Sequence, residues 1–293
     1  MKRLFFLMLG LVITQSIVAQ GKYFDSNGVN IHYIDQGAGV PIVLVHGRGG
    51  SLQGWIANGV LPNLTKDYRV VAFDLRGHGL SAKPHTQQQY GKEMALDIVR
   101  LMDHLGIEKA HIIGYSLGAN IVAQLLILHP ERFITATLGG SAGRFRWTTN
   151  DDEIVEREAS ETERLGFSPS FDTRIAPPNT AKATDEEIKK RSAVALVNPA
   201  EDRFAMAAII RSSRDQLISA EEVAAVKVPT LGIVGSKDSF ILSLQDLKQQ
   251  RPGLQLVIVE NGTHSGEEDT RKRPEFIAAI RQFIASNSKA PLK

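Results

Sequence analysis

The chain has 293 residues, 43% hydrophobic and 23% charged, with 34 Lys and Arg against 32 Asp and Glu and a formal net charge of +2. That size and balance suit one large α/β domain carrying an insertion, and with no Lys/Arg cluster or interleaved aromatics nucleic-acid binding has no electrostatic support. The absence of cysteine excludes disulfides, thiol catalysis and lipid attachment at a cysteine.

Residues 1–20 begin with Lys2 and Arg3, continue through an apolar run from 4 to 13 and reach the small Ala19. A signal peptidase reads this pattern, so 1–20 is expected to be an export signal cut after Ala19 or nearby, giving a periplasmic or secreted product. The run is shorter than the about 20 apolar residues of a membrane span. An uncleaved anchor stays the alternative, because Ile17 is not a small residue at its place before the cut. Removing Lys2 and Arg3 leaves 32 basic against 32 acidic residues, so the apparent basicity belongs to this segment.

Next come 22–27 and 30–34, which flank the turn signal Asn27-Gly28 and predict an antiparallel edge hairpin. Pro41–Val45, Arg69–Phe73, 110–113, 133–138, 230–234 and Gln255–Val259 are apolar at nearly every position. Such runs suit strands buried on both faces, hence a parallel sheet with helices on each side. Met94, Ile98, Leu101, Met102 and Leu105 recur at helical spacing, with Asp97, Arg100, Asp103 and His104 on the other faces. The alternation of strand and helix stops at about 144 and resumes near 228. Between lie the acidic stretch 151–163, the turn-rich Gly166-Phe167-Ser168-Pro169 and Ala176-Pro177-Pro178-Asn179, and helix candidates at 185–197 and 201–218.

Chemistry enters at Gly114-Tyr115-Ser116-Leu117-Gly118, which follows the strand candidate 110–113 and opens an apolar helical stretch. This is the pattern of a nucleophile elbow, a tight strand-to-helix turn that lifts a serine hydroxyl clear of the sheet and aims Leu117 N–H at a reacting carbonyl oxygen. Asp238 lies just after the run 230–234, and His264 follows Gln255–Val259, giving the chain order Ser, Asp, His. Upstream, Pro41–Val45 runs into His46-Gly47-Arg48-Gly49-Gly50, a small-residue loop able to supply Arg48 N–H as a second oxyanion donor. Gly47, Arg48 and Tyr115 flank this centre and are the candidates for substrate contact. The Arg48 guanidinium, with help from Arg144 or Arg146, could favour anionic substrates, whereas pairing with a structural carboxylate would leave it no such role. No H-E-x-x-H or comparable spacing supports a metal, and the glycines at 47, 49 and 50 lack the Lys-Ser/Thr pair of a phosphate loop.

From 22 to 283 the chain resembles the α/β-hydrolase superfamily. Besides the elbow, Asp74-Leu75-Arg76-Gly77-His78-Gly79-Leu80-Ser81 is similar to that family's stretch after the fourth strand, His129-Pro130-Glu131-Arg132-Phe133 to the end of the helix behind the nucleophile, and Pro274-Glu275-Phe276 to the start of its last helix. The resemblance implies a mostly parallel sheet with helices on both faces, a core at 21–143 and 228–290, and a helical cap at 144–227 acting as a lid over Ser116. It implies no cofactor, and Ser116, His264 and Asp238 as nucleophile, base and acid. Some members carry the acid after the sixth strand, but here Gly139-Gly140-Ser141-Ala142 holds no carboxylate. Ser116 argues against relatives with an aspartate nucleophile, Leu117 against proline iminopeptidases and Ala119 against cofactor-free haloperoxidases. The expectation is an exported serine hydrolase of a small ester or acyl substrate. A carbon–carbon bond hydrolase or lactonase with the same triad, and a ligand-binding member that does not turn over, remain the alternatives.

Overall fold

The computed structural model describes residues 21–198 and 201–287; the expected export signal at 1–20, with 199–200 and 288–293, lies outside the described residues. The apolar runs become strands: β1 (Lys22–Asp25), β2 (Asn30–Gln36), β3 (Pro41–Val45), β4 (Arg69–Phe73), β5 (Ala110–Tyr115), β6 (Phe133–Gly139), β7 (Thr230–Gly235) and β8 (Gln255–Val259). They form one eight-stranded sheet in the order β1-β2-β4-β3-β5-β6-β7-β8. β2 is antiparallel to β1 and β4, and every other pair is parallel. Asn27 and Gly28, at φ 55° and 83°, make the tight turn between β1 and β2, the conformation that Asn-Gly favours.

Among the described residues four α-helices precede the insertion between β6 and β7: α1 (Leu52–Ala57), α2 (Val60–Leu64), α3 (Lys92–His104) and α4 (Leu117–Leu128). Within it lie α5 (Thr149–Leu165), α6 (Pro169–Ile175), α7 (Asp185–Ala195), α8 (Arg203–Arg211) and α9 (Ala220–Ala225), and after it α10 (Ile241–Gln250) and α11 (Pro274–Asn287). Successive strand residues point to opposite faces, so β3 sends Val43 and Val45 into the layer with α3, α4 and α10, and Ile42 and Leu44 into the layer with α1, α2 and α11. One expectation fails on α3: Asp97 is not on the outer face but fully buried, accepting bonds from Arg76 Nε and Nη2 at 2.6 Å each. A buried carboxylate needs such a partner, and the partner is the arginine of the loop after β4.

The insertion is tied to the core at both its ends and its middle. Ile218 N–H donates to Arg144 O at 3.0 Å, closing entry and exit together. Ala205, Ala208 and Ile209 of α8 join the main core, while Ala207 and Ile210 pack on Ala159 of α5. Burying one such isoleucine contributes about 1.5–3 kcal/mol. The expected helix 201–218 ends early, at Arg211, and continues as a 3-10 turn to Gln216; that at 185–197 stops at Ala195. No helix among the described residues is long and apolar enough to cross a membrane.

Candidate active site

Ser116 stands between the end of β5 and the start of α4 at φ 56° and ψ −118°, a region that costs a non-glycine residue about 1–3 kcal/mol and persists only when its surroundings impose it. Here Ser116 N–H donates to Gly139 O of β6 at 2.8 Å, and Ser116 O accepts from Ala119 N–H at 2.9 Å. The flanking glycines are required by close approach. A Cβ on Gly114 would stand 2.3 Å from Gly118 O, and one on Gly118 2.1 Å from Val45 O. Any larger residue would push α4 away from β5 and β3.

His264 Nε2 lies 2.9 Å from Ser116 Oγ, and His264 Nδ1 lies 2.9 Å from Asp238 Oδ2. The other Asp238 oxygen accepts Phe240 N–H at 2.9 Å. An ionised carboxylate only accepts, so Nδ1 carries the imidazole proton and Nε2 is left to accept from the serine hydroxyl. Both Asp238 and His264 are buried, and their loops are laced together by Ser236 N–H to Val259 O at 2.9 Å and Lys237 N–H to Gly262 O at 3.0 Å. The loop after β6 also reaches this imidazole: a Cβ on Gly140 would stand 3.3 Å from His264 Nδ1. With glycine there, Asp238 is the carboxylate that meets the ring.

Leu117 is the first residue of α4, where backbone N–H groups lack intrahelical acceptors and the helix dipole favours negative charge. Neither Leu117 N–H nor Arg48 N–H donates to a protein acceptor among the described residues. The loop that carries Arg48 is held by His46, whose Nδ1–H donates to Gly47 O at 2.8 Å while Nε2 accepts Leu75 N–H at 3.0 Å. Burial lowers the His46 pKa below its ordinary 6.5, which keeps the ring neutral and able to do both. Gly47 lies against the nucleophile, since a Cβ there would stand 3.1 Å from Ser116 Cβ.

A cavity of about 120 Å³ opens over Ser116, walled on one side by Leu117, Asn120 and Ser141 and on the other by residues of the insertion. Arg48 lines it, but its guanidinium is held: Nη1 and Nη2 each donate to Glu158 Oε2 at 3.1 Å, with the Phe171 ring centroid 3.4 Å from Cζ. Burial pulls the Arg48 pKa down to about 10 against the opposing pull of Glu158. The second Glu158 oxygen accepts from Arg174 Nε at 2.9 Å and lies 2.8 Å from Arg174 Nη2. Tyr115 does not meet the expectation of substrate contact. As the last residue of β5 it points away from the cavity, its hydroxyl donating to His264 O at 2.9 Å and its ring lying 6.3 Å from that of Phe276. Arg146 is exposed and outside the cavity, whereas Arg144 lines it. Glu158, Phe171 and Arg174 were not singled out from sequence; ion pairs spanning 110 and 16 residues leave no local pattern.

The chain is 36% identical over 155 residues to a 2-hydroxymuconate semialdehyde hydrolase of Pseudomonas sp. (strain CF600), covering 52% of this chain and 50% of that protein. It is 37% identical over 130 residues to a dihydrolipoyllysine-residue acetyltransferase component of the acetoin cleaving system of Cupriavidus necator, covering 44% and 34%. The chain thus spans a third to a half of the length of these relatives. Among solved structures, a thermophilic esterase from Thermogutta terrifontis, with malate bound, superposes with a TM-score of 0.73 at 25% identity over 92% of this chain and 99% of that one. The profile of the family described as alpha/beta hydrolase fold matches residues 40–269, and the chain belongs to that family.

Proposed function

We propose that the protein is a serine hydrolase that opens an ester or related acyl bond through an acyl-enzyme. The observation that carries this reading is the hydrogen-bonded line Ser116 Oγ–His264 Nε2–Asp238, set beside two backbone N–H groups with no protein acceptor among the described residues. Ser116 Oγ attacks the carbonyl carbon as its proton passes to His264 Nε2, and the carbonyl oxygen becomes an oxyanion facing Arg48 N–H and Leu117 N–H. Each such donor is worth about 2.7–4 kcal/mol in the transition state. The carbon–oxygen bond then breaks, with the imidazolium returning its proton to the departing alcohol. Water, deprotonated by His264, releases the acid and restores Ser116. Asp238 holds the tautomer and stabilises the imidazolium.

A second reading, cleavage of a carbon–carbon bond next to a carbonyl by the same residues, is favoured by the 36% identical relative named a 2-hydroxymuconate semialdehyde hydrolase. Lactone opening has support from a solved N-acyl homoserine lactone degrading enzyme at 25% identity and a TM-score of 0.68. A panel of p-nitrophenyl esters of graded chain length, a lactone and a vinylogous 1,5-diketone acid decides among them by relative kcat/KM. Binding of all without turnover would favour a ligand-binding member. Segment 1–20 supports export, and N-terminal sequencing of exported protein, expected to start at or near Gln20, tests it.

A further inference from the structure

Three guanidinium groups, those of Arg48, Arg144 and Arg174, share the cavity wall with Ser116, and two carboxylates, Glu158 and Asp151, face them. Glu158 is engaged through both oxygens and Asp151 through one. Glu158 is saturated by Arg48 and Arg174, and Asp151 Oδ2 caps α5, accepting Thr148 N–H and the Thr148 hydroxyl at 2.7 Å each. Arg144 stands apart. Among the described residues no carboxylate lies within ion-pair distance of it, its buried Nε has no hydrogen-bond partner, and its recorded side-chain contact is the Trp147 ring, 5.2 Å from Cζ. Burial first, then the neighbouring Arg174 charge, presses its pKa downward, and the charges of Asp151 and Glu158 offset this only in part.

Arg144 as a whole is half-buried, but its Nε is shielded from water and without an acceptor, and a buried donor left unpaired carries the cost of its lost hydration, so the cavity offers a partner position that can be filled from outside the chain. We propose that Arg144 receives a carboxylate of the substrate, so that the acyl compounds cleaved here carry an anionic group a few bonds from the scissile carbonyl. The inference rests on the reading of Ser116 as nucleophile. Counting charges, three guanidinium groups against two carboxylates leave one positive charge, which a monoanion balances. On the same cavity wall, Ser141 Oγ donates to Asn120 Oδ1 at 2.6 Å, leaving the Asn120 amide as a further donor with no protein acceptor among the described residues. Planar guanidinium suits a carboxylate bidentately, and Ile154, Val155, Ile209 and Ile210 supply an apolar wall for the rest of the molecule. A volume of about 120 Å³, well under the roughly 300–1,000 Å³ of drug-sized sites, limits that remainder to a short chain. Half-esters of small dicarboxylic acids fit this description.

The test compares methyl butyrate with monomethyl succinate, which differ by a methyl group in place of a carboxylate, in the full chain and in Arg144→Gln and Arg144→Lys. The wild type is expected to prefer the half-ester at least tenfold in kcat/KM, with the ratio falling at least tenfold in Arg144→Gln and partly recovering in Arg144→Lys. A ratio equal in wild type and Arg144→Gln, or a wild-type preference for methyl butyrate, overturns the inference and leaves the serine hydrolase reading standing. Should Arg144→Gln fail to fold, protection of wild-type Ser116 from a fluorophosphonate decides. Succinate protecting at a tenfold lower concentration than succinamide supports the proposal, and equal protection overturns it. Cleavage of neither ester with Ser116 unlabelled overturns both readings.

Discussion

Replacing Glu158 by Gln removes the one carboxylate that, among the described residues, joins the insertion to the loop carrying Arg48. Glu158 is 2% exposed, and the side chains of Arg48 and Arg174 are 14% and 39% exposed. Breaking a buried ion pair from one side costs about 3–5 kcal/mol, chiefly because the remaining charge is left uncompensated. Arg174 is partly in water and its share is screened, so the loss is set by Arg48 and falls near the lower end, about 3 kcal/mol. At about 2–4 °C per kcal/mol for a domain of this size, the melting temperature should fall about 6–12 °C. The double variant Arg48→Met/Glu158→Leu removes both charges and retains the Arg48 backbone N–H. It should recover most of the loss, since apolar replacements of a buried pair are often neutral or better. Urea unfolding followed by tryptophan fluorescence, with Trp55 in the core and Trp147 in the insertion, measures all the variants. A loss under about 1 kcal/mol in Glu158→Gln, or a double variant no more stable than the single, would refute the reasoning.

Asp238→Asn should lower kcat by about 10⁴-fold with the fold retained, because an amide stabilises the wrong imidazole tautomer; steady-state kinetics with circular dichroism checks it, and full activity would remove Asp238 from its role. A second outcome concerns acid. His78 is buried, and burial first, then the nearby His46 ring, pushes its pKa down from 6.5 to about 3. The unfolded chain therefore binds a proton that the folded chain refuses. The stabilising effect is complete above pH 6.5 and is lost as pH falls toward 3, at about 1.4 kcal/mol per pH unit. Urea unfolding at pH 6.5 and 5 should show a loss larger by about 2 kcal/mol in wild type than in His78→Asn; equal slopes would contradict this.

The sheet and its central residues were legible because their signals are local. Continuous apolar runs gave the bounds of β3, β4 and β8 to the residue, although β8 lies at the sheet edge with Ile258 exposed rather than buried on both faces, and glycine at 114 and 118 marked the approach of three backbones that only a missing Cβ permits. The insertion was less legible. Segment 151–163 shows charge rather than an apolar stripe, yet it is helical: Thr148 and Asp151 form a capping box, a T-x-x-D pattern readable in advance, and its few buried positions, Glu158, Ala159 and Thr162, include a charge that pairs across the fold. Tyr115 shows the opposite failure. Adjacency to Ser116 in sequence put it among substrate contacts, but the alternation of β5 turns it to the far face beneath His264. Which arginine would stay unpaired in the cavity was settled by tertiary packing alone.

Turnover at this site requires Ser116 to be an activated nucleophile. Incubation of the full chain with a fluorophosphonate, followed by peptide mass spectrometry, should find a single adduct on Ser116. Ser116→Ala should abolish both the adduct and ester turnover, the latter by a factor on the order of 10⁶. Undiminished turnover in Ser116→Ala, or an adduct at another serine, would contradict it.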